Sequence, residues 1–349
     1  MNEIEVGIAG VGYWGTKLVR NIDEAEGARL AAICDPDPDR LEATGARYRE
    51  AERFGSLEEL FASDVEAVVL ATPASAHARH TRMALEAGKH VLVEKPLALE
   101  VSDCEELLEL ADSSGLTLMV GHTFIYSEPV RYLRQLVRDG ALGRVLYAYA
   151  HRLNLGVIRE DLNALWNFGP HDVSILLYLF DRMPLRVAAR EYSLLNRELE
   201  DVVFLVLEFP DDIVAHIHES WLDPRKIRQL TVVGERKMVV YDDTDVETPL
   251  RIYDKGVTRA TEDLRHGEAG FGEFKLATRS GDMLAPQISS REPLRVEIEH
   301  FVDCVRTGGQ PETGGRHGRD VVAILEAADR SARTGAPVEL DWARQPIRG

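Results

Sequence analysis

Three groups of residues have the types and spacing that chemistry needs. The first is Gly10, Gly12 and Gly15, a G-x-G-x-x-G turn inside the stretch Glu5 to Val19, directly after the apolar run Val6, Ile8 and Ala9. Gly10 permits a sharp turn, Gly12 lets the backbone approach a pyrophosphate, and Gly15 lets a helix pack closely on the strand. The helix that follows aims its free N–H groups at phosphate. Tyr13 and Trp14, inside the turn, are assigned to the same cofactor contacts. A second apolar strand ends in Asp35, about 20 residues on, where an acid is expected to hold ribose hydroxyls. No arginine stands directly after Asp35 to receive a 2′-phosphate, so the pattern favours NAD, with Arg40 close enough to keep NADP as the minority outcome. The alternative is a glycine turn with no cofactor. The βαβ context around the triplet weighs against it.

The second group is Glu94-Lys95-Pro96, which follows the apolar run Val91–Val93. A lysine at the carboxyl end of a parallel strand points into the crevice where a nicotinamide would lie. Taken alone, it reads as a surface lysine at a strand-to-loop turn. The third group is Trp166 to Asp172, W-N-F-G-P-H-D, just before an apolar helix read as Val173–Phe180. Pro170 fits the first helical position, which places His171 in the first turn. The positive helix end favours the neutral imidazole that accepts a proton, and Asp172 pulls the other way. His171 reads equally as a capping or packing histidine. Asn167 stands four residues earlier, a spacing that shares a helical face, but Pro170 argues against a helix reaching back so far.

Arg152, Asn154, Asn163 and Trp166, within the stretch Tyr149 to Trp166, are candidate substrate contacts together with Asn167. Arg152 suits a phosphate or a carboxylate. The alternative is that alternate residues of this strand face solvent. His216 and His218 share one face of a strand, yet two histidines without a third ligand are more often sheet-face residues, and no metal is expected.

The elements that must position these groups change character along the chain. Strands near Glu5–Ala9, Leu30–Cys34, Ala67–Ala71, His90–Val93 and Leu116–Val120 alternate with amphipathic stretches such as Ala76–Ala87 and Asp103–Ala111. Continuous apolar strands between helices imply a parallel sheet covered on both faces, hence a doubly wound dinucleotide domain over residues 1–122. Residues 123–349 read as a second α/β domain for substrate and oligomerisation. A helix over Glu128–Arg138 leads to a strand near Val145–Leu153, and after the apolar helix come Val202–Phe209, an alternating run around Ile213–His218, Ile227–Val233 and Lys237–Tyr241. Strand after strand without crossover helices implies a large, mostly antiparallel, open-faced sheet. Two late helices follow, one with Leu294, Ile298, Phe301, Val302 and Val305 on one face, the other over about Arg319–Arg333, packing back on the first domain or flanking the sheet. Asp242–Glu247 and Thr261–Glu268 read as solvated loops.

The 349 residues suggest about two domains. A net charge of −18 argues against a nucleic-acid partner, which needs concentrated Lys and Arg. The three cysteines, Cys34, Cys104 and Cys304, are far apart, so neither a disulfide framework nor a zinc site is expected and a reducing cytoplasm fits. No run of about 18 apolar residues suggests a membrane span, and Met1–Val6 shows no leader pattern.

Taken together, these motifs resemble the Gfo/Idh/MocA family of NAD(P)-dependent sugar and polyol oxidoreductases over nearly the whole length. The resemblance rests on the glycine turn, Ala71-Thr72-Pro73 with His77, Glu94-Lys95-Pro96, Gly121-His122 and the His171 cluster. It implies a Rossmann domain followed by an open-faced sheet domain, with homodimers or homotetramers formed through that sheet. It assigns Lys95 and His171 to the catalytic pair, and Thr72, His77, Glu94 and Lys95 to the cofactor. The family's D-x-x-x-H carboxylate falls on Asn167, which cannot become an anion. An Asp–Lys–His relay is therefore in doubt, leaving Lys95 and His171 to share the proton transfer. The implied reaction is oxidation of a secondary alcohol of a sugar or nucleotide sugar, with the branch of UDP-N-acetylglucosamine-type 3-dehydrogenases favoured. An inositol-type dehydrogenase, a ketosugar reductase, a non-catalytic sugar or dinucleotide sensor and an NAD-dependent glycosidase are the alternatives.

Overall fold

The apolar runs of the first 122 residues become six parallel strands. In chain order the elements are β1 (Ile4–Ala9), α1 (Gly15–Glu24), β2 (Ala28–Cys34), α2 (Pro38–Gly45), β3 (Glu52–Phe54), α3 (Leu57–Ala62), β4 (Ala67–Leu70), α4 (His77–Glu86), β5 (His90–Glu94), α5 (Val101–Ser114) and β6 (Leu118–Gly121). The sheet order is β3-β2-β1-β4-β5-β6, with every adjacent pair parallel. The strand order reverses at β1, and ligands of such sheets bind at the carboxyl ends beside that reversal. The computed structural model describes residues 3–156, 161–195, 198–259, 276–289 and 291–342.

Three short elements, α2, β3 and α3, are additions to the expected set. They escape a periodicity search because β3 is only Glu-Arg-Phe, and the helices are set by their caps. Asp37 accepts the Asp39 amide at 3.0 Å, and Ser56 accepts the Glu59 amide at 3.3 Å.

The second set of elements is α6 (Glu128–Arg138), β7 (Val145–Leu153), α7 (Ala164–Phe180), β8 (Arg186–Tyr192), β9 (Val202–Glu208), β10 (Val214–Ser220), β11 (Ile227–Gly234), β12 (Met238–Asp242), β13 (Leu250–Arg259) and β14 (Leu276–Leu284). After them come α8 (Pro293–Thr307), α9 (Gly315–Thr334) and β15 (Val338–Glu339). The nine strands run in the order β14-β13-β12-β11-β7-β10-β9-β8-β15. The pairs are antiparallel except β7 with β10. That exception follows from connectivity, since α7 carries the chain from β7 to β8 and two hairpin steps then return β10 beside β7. One face buries Ala148, Ala150, Ala215, Ile217 and Leu205. The other carries Tyr147, Tyr149, His151, Phe204, His216 and His218, with Phe204 stacked on His218 at 4.5 Å.

The chain divides into two units, Met1–Ser127 with Ser290–Glu326, and Glu128–Ser289 with Ala327–Pro346. This differs from a single cut after residue 122. The reason is the apolar stripe of α8, where Leu294, Ile298, Phe301 and Val302 are buried in the first unit. The Val120 amide also donates to the Thr313 carbonyl at 2.8 Å, beside a Met119–Gly314 bridge.

Helix α7 corrects the reading of Pro170. The helix begins seven residues before His171, and Pro170 lies inside it. The start is fixed by Asn163, whose side-chain oxygen accepts the Trp166 amide at 3.0 Å. Proline removes one interior N–H, the one that would have donated to the Trp166 carbonyl four residues earlier. His171 is therefore beyond the first turn, where a helix end exerts its field. Asn167 and His171 stand one turn apart on a shared face.

The acidic run Asp242–Glu247 is an organised turn more than a solvated loop. Asp242 accepts Gln229 Nε2 at 2.7 Å, and Asp245 accepts the Thr248 amide and hydroxyl at 2.9 Å each. Thr261–Glu268 lies outside the described residues.

Candidate active site

In the first unit the glycine turn is built as its spacing predicts. Gly10 has φ of +90°, and a Cβ there would lie 2.5 Å from the Ala71 carbonyl oxygen. A Cβ on Gly15 would collide with the Gly10 carbonyl. Gly12 is different, because a Cβ there meets only Arg40 Nη1, at 3.8 Å. The turn is closed at Gly10 and Gly15 and leaves an open cradle at Gly12, which fits a dinucleotide pyrophosphate. Tyr13 projects outward, 83 % exposed, with Lys17 Nζ 4.4 Å from its ring centre.

Asp35, the acid just after β2, is deeply engaged within the protein. One carboxylate oxygen accepts the Val11 amide at 2.8 Å, the other accepts the Asp37 amide at 2.9 Å, and the residue is buried. The acid therefore ties the end of β2 to the glycine turn. Each oxygen retains a second lone pair for a hydroxyl. Asp35→Ala is expected to weaken both NAD and NADP, because the Val11 amide loses its partner, and to weaken NAD by the larger factor. Titration of both cofactors checks this, and equal losses would remove the ribose role. Arg40 is exposed and pairs with Asp37 at 3.2 Å, beside the Gly12 cradle.

Beyond β4, His77 joins two loops of the crevice. Its Nδ1 is 2.7 Å from the Pro96 carbonyl and its Nε2 is 2.8 Å from the Thr72 carbonyl. Burial, opposed by those two carbonyls and reinforced by the Lys95 charge, lowers its pKa. Thr72 also meets His80 Nδ1 through its hydroxyl, at 3.0 Å. Glu94 closes β5, with Oε1 accepting Trp14 Nε1 at 2.5 Å and Oε2 accepting the Lys95 amide at 3.2 Å. The Glu94 carboxyl is pushed upward by burial, against the Trp14 bond and the Lys95 charge. Lys95 follows at the carboxyl end of β5, partly buried, with its charge felt by His77, Glu94 and His122. Gly10, Asp35, Thr72 and Lys95 thus lie just beyond the carboxyl ends of β1, β2, β4 and β5.

In the second unit, the expected substrate contacts Arg152, Asn163 and Trp166 are engaged within the protein. Arg152 forms a bidentate pair with Asp172, Nε and Nη2 each 2.9 Å from a carboxylate oxygen, and both residues are buried. Burial works against the Arg152 charge, and the Asp172 carboxylate more than offsets it. Trp166 is buried, with its Nε1 donating to Asp329 at 2.9 Å. Asn163 caps α7 and donates to Glu200 at 3.0 Å. Asn154, Asn167 and His171 are partly exposed. The adjacent pair His171-Asp172 divides its work, since Asp172 is turned to Arg152.

One buried pair was not singled out from the sequence: the Thr123 hydroxyl donates to Glu297 Oε2 at 2.8 Å. Glu297 is three residues after Leu294 and four before Phe301, inside the apolar stripe of its helix, and that placement is the signal that marks it.

Comparison with known proteins agrees with this geometry. Residues 4–122 match the family described as an oxidoreductase family with an NAD-binding Rossmann fold, and residues 130–240 match the GFO/IDH/MocA C-terminal domain. The 2,7-anhydro-N-acetylneuraminate hydratase of Mediterraneibacter gnavus is 30% identical over 230 residues, 62% of this chain and 61% of the relative, so the chain spans about three fifths of that relative's length. UDP-N-acetylglucosamine 3-dehydrogenase of Acidithiobacillus ferrooxidans is 25% identical over 93% of this chain and 95% of the relative. The crystal structure of aldose-aldose oxidoreductase from Caulobacter crescentus, complexed with glycerol, superposes with a TM-score of 0.80 at 25% identity, covering 97% of this chain and 100% of that one. A closed glycine turn with one open cradle, an acid at the end of β2, a lysine at the end of β5 and both family domains in order lead to one conclusion: the chain belongs to the Gfo/Idh/MocA oxidoreductase family.

Proposed function

We propose that the protein is an NAD-dependent dehydrogenase that oxidises a secondary alcohol of a sugar or nucleotide sugar, a UDP-N-acetylhexosamine 3-dehydrogenase being the favoured form. The observation that carries the reading is the open cradle at Gly12 between closed turns at Gly10 and Gly15, with Asp35 beneath it and Lys95 at the end of β5. The similarity to UDP-N-acetylglucosamine 3-dehydrogenase over 93% of the chain supports the substrate class.

Bound nicotinamide supplies the hydride acceptor. Gly12 and the first turn of α1 hold the pyrophosphate, and Asp35 selects NAD through the ribose hydroxyls, with Arg40 as the feature that would favour NADP. Thr72, His77 and Glu94 shape the nicotinamide end of the crevice. Lys95 and His171 divide the proton work, one removing the hydroxyl proton and the other holding the oxygen by hydrogen bond or charge. Asn167, one turn from His171, contributes a neutral hydrogen bond where the family pattern has a carboxylate. Asn154 is the other residue assigned to substrate.

A cytoplasmic homodimer or homotetramer is part of the proposal, joined through the sheet face that carries Tyr147 and Phe204, 46 % and 38 % exposed. No described helix is long and apolar enough to cross a membrane.

The hydratase among its relatives is named for a reaction without net oxidation, which favours a second reading, turnover with no net reduction of the cofactor. The test is absorbance of reduced nicotinamide with NAD or NADP and a panel of UDP-sugars, free sugars and inositols. Net reduction with a UDP-sugar and NAD is the expected result. Turnover only with free polyols would shift the reading to the inositol-type branch, and product formation without net reduction would favour the second reading.

A further inference from the structure

The carboxyl end of β5 is backed by an acid that none of the roles above uses. Glu297, on α8, is fully buried, and its Oε2 accepts the Thr123 hydroxyl at 2.8 Å. Its Oε1 is buried without a hydrogen-bond partner among the described residues. Thr123 stands two residues after Gly121, which is the register partner of Glu94 across β5 and β6. The Glu94 carboxyl packs against that position so closely that a Cβ on Gly121 would lie 3.2 Å from its carboxyl carbon. Glu94 and Glu297 thus both lie against the short stretch Gly121 to Thr123, one at the crevice and one behind it.

Among the described residues, no cation pairs with Glu297. The helix packs on α1, β1 and the short turn Thr123–Tyr126. On α1, Arg20 holds Glu292 and Lys17 lies over the Tyr13 and Trp14 rings. On β1, Glu5 holds Arg29. On α8 itself, Arg295 reaches Glu24, Glu299 pairs with Arg291, and His300 accepts the Glu312 amide. His122, buried and edge-on to His317 at 5.1 Å, is held neutral by burial, with His317 and Lys95 acting in the same direction. Burial raises Glu297 well above the ordinary carboxylate range, and the Glu94 charge raises it further, against the Thr123 bond. Two like charges sharing one desolvated site do not both ionise readily.

We propose that Glu297 is a positioning residue of the cofactor site: with Glu94 it shares a single negative charge, held by Glu94 because Trp14 Nε1 and the Lys95 amide both donate to that carboxylate whereas Glu297 has only the Thr123 hydroxyl, and Glu297 releases its proton to solvent when an oxidised, cationic nicotinamide is bound. This rests on the cofactor reading above. With Asp35 at the end of β2 placed to hold the adenosine half, the nicotinamide half would fall on the β4–β5 side. A cationic ring there favours a second negative charge, and the neutral reduced ring does not. Oxidised and reduced cofactor are therefore told apart by a proton.

The test is calorimetric binding of NAD and NADH to the parent protein and to Glu297→Gln, in buffers of different ionisation heat, from pH 6 to 9. The parent is expected to release up to one proton with NAD and none with NADH. Its preference for NAD over NADH should rise with pH by up to about tenfold per unit. Glu297→Gln should release none and show a preference that does not change with pH. Thr123→Val, which removes the bond favouring the anion, should move the proton release to higher pH, and carries the test if Glu297→Gln does not fold. Unchanged proton release in either folded variant overturns the proposal. Failure of the parent to bind either nucleotide overturns the cofactor reading and this one with it.

Discussion

Lys95→Met is expected to lower kcat by about 10²- to 10⁴-fold while changing the dissociation constant of NAD by only a few-fold. The reasoning separates what Lys95 touches from what holds the cofactor. The glycine cradle, Asp35 and the His77 bridge are fixed by backbone partners that do not involve the lysine side chain. Methionine keeps the length and apolar body of the stem and removes the charge and donors. A loss confined to kcat assigns Lys95 to the reacting centre, because an interaction made only in the transition state leaves binding intact. Steady-state kinetics with the active sugar, alongside NADH fluorescence titration, makes the distinction. Unchanged kcat in the variant would move the proton work to His171. Normal cofactor and ligand binding by Lys95→Met, with no turnover by the parent, would instead favour a sensor.

The parts of the site that were legible from sequence are those whose chemistry is local. Gly10, Gly12 and Gly15 announce their turn because no other residue fits the first and last positions. Strands β4 to β6 were legible because burial on both faces leaves uninterrupted apolar runs. What was not legible depends on partners distant in sequence. Pro170 reads as a helix start by its own preference, and only the Asn163 cap shows that the helix begins earlier. Arg152 reads as a ligand for phosphate because arginine usually is one. Nothing within 15 residues indicates that Asp172 will claim it. Strand β8, Arg-Val-Ala-Ala-Arg-Glu-Tyr, has no strict alternation of charged and apolar residues, so it does not stand out from a loop. Glu297 escapes notice because glutamate is mostly a surface residue, and only the packing of α8 turns it inward. The pattern is general: turn chemistry and core runs are written in neighbours, whereas buried pairs and caps are written in tertiary contact.

The buried pair leads to the second large effect. Asp172→Asn is expected to destabilise the protein by about 3–5 kcal/mol, because the Arg152 guanidinium would remain buried with its principal anion gone. At about 2–4 °C per kcal/mol for units of this size, the melting transition should fall by roughly 10 °C. The cost lies in stranding a charge, not in losing an attraction, and a double substitution separates the two. Arg152→Met with Asp172→Leu removes both charges, and such apolar replacements of buried pairs are often neutral in stability. The double variant should therefore melt well above Asp172→Asn alone, and an additive loss would show that the pair itself stabilises the fold. Function should not follow stability. Asp172 is adjacent to His171 on α7, and its bond to Arg152 of β7 fixes the rotation of the helix about that strand. The double variant is therefore expected to fold, to bind NAD as the parent does, and to lose kcat by at least about tenfold, since a base displaced by a fraction of an ångström forfeits much of its effect. Full activity in a stable double variant would show that β7 and α7 hold His171 without the pair.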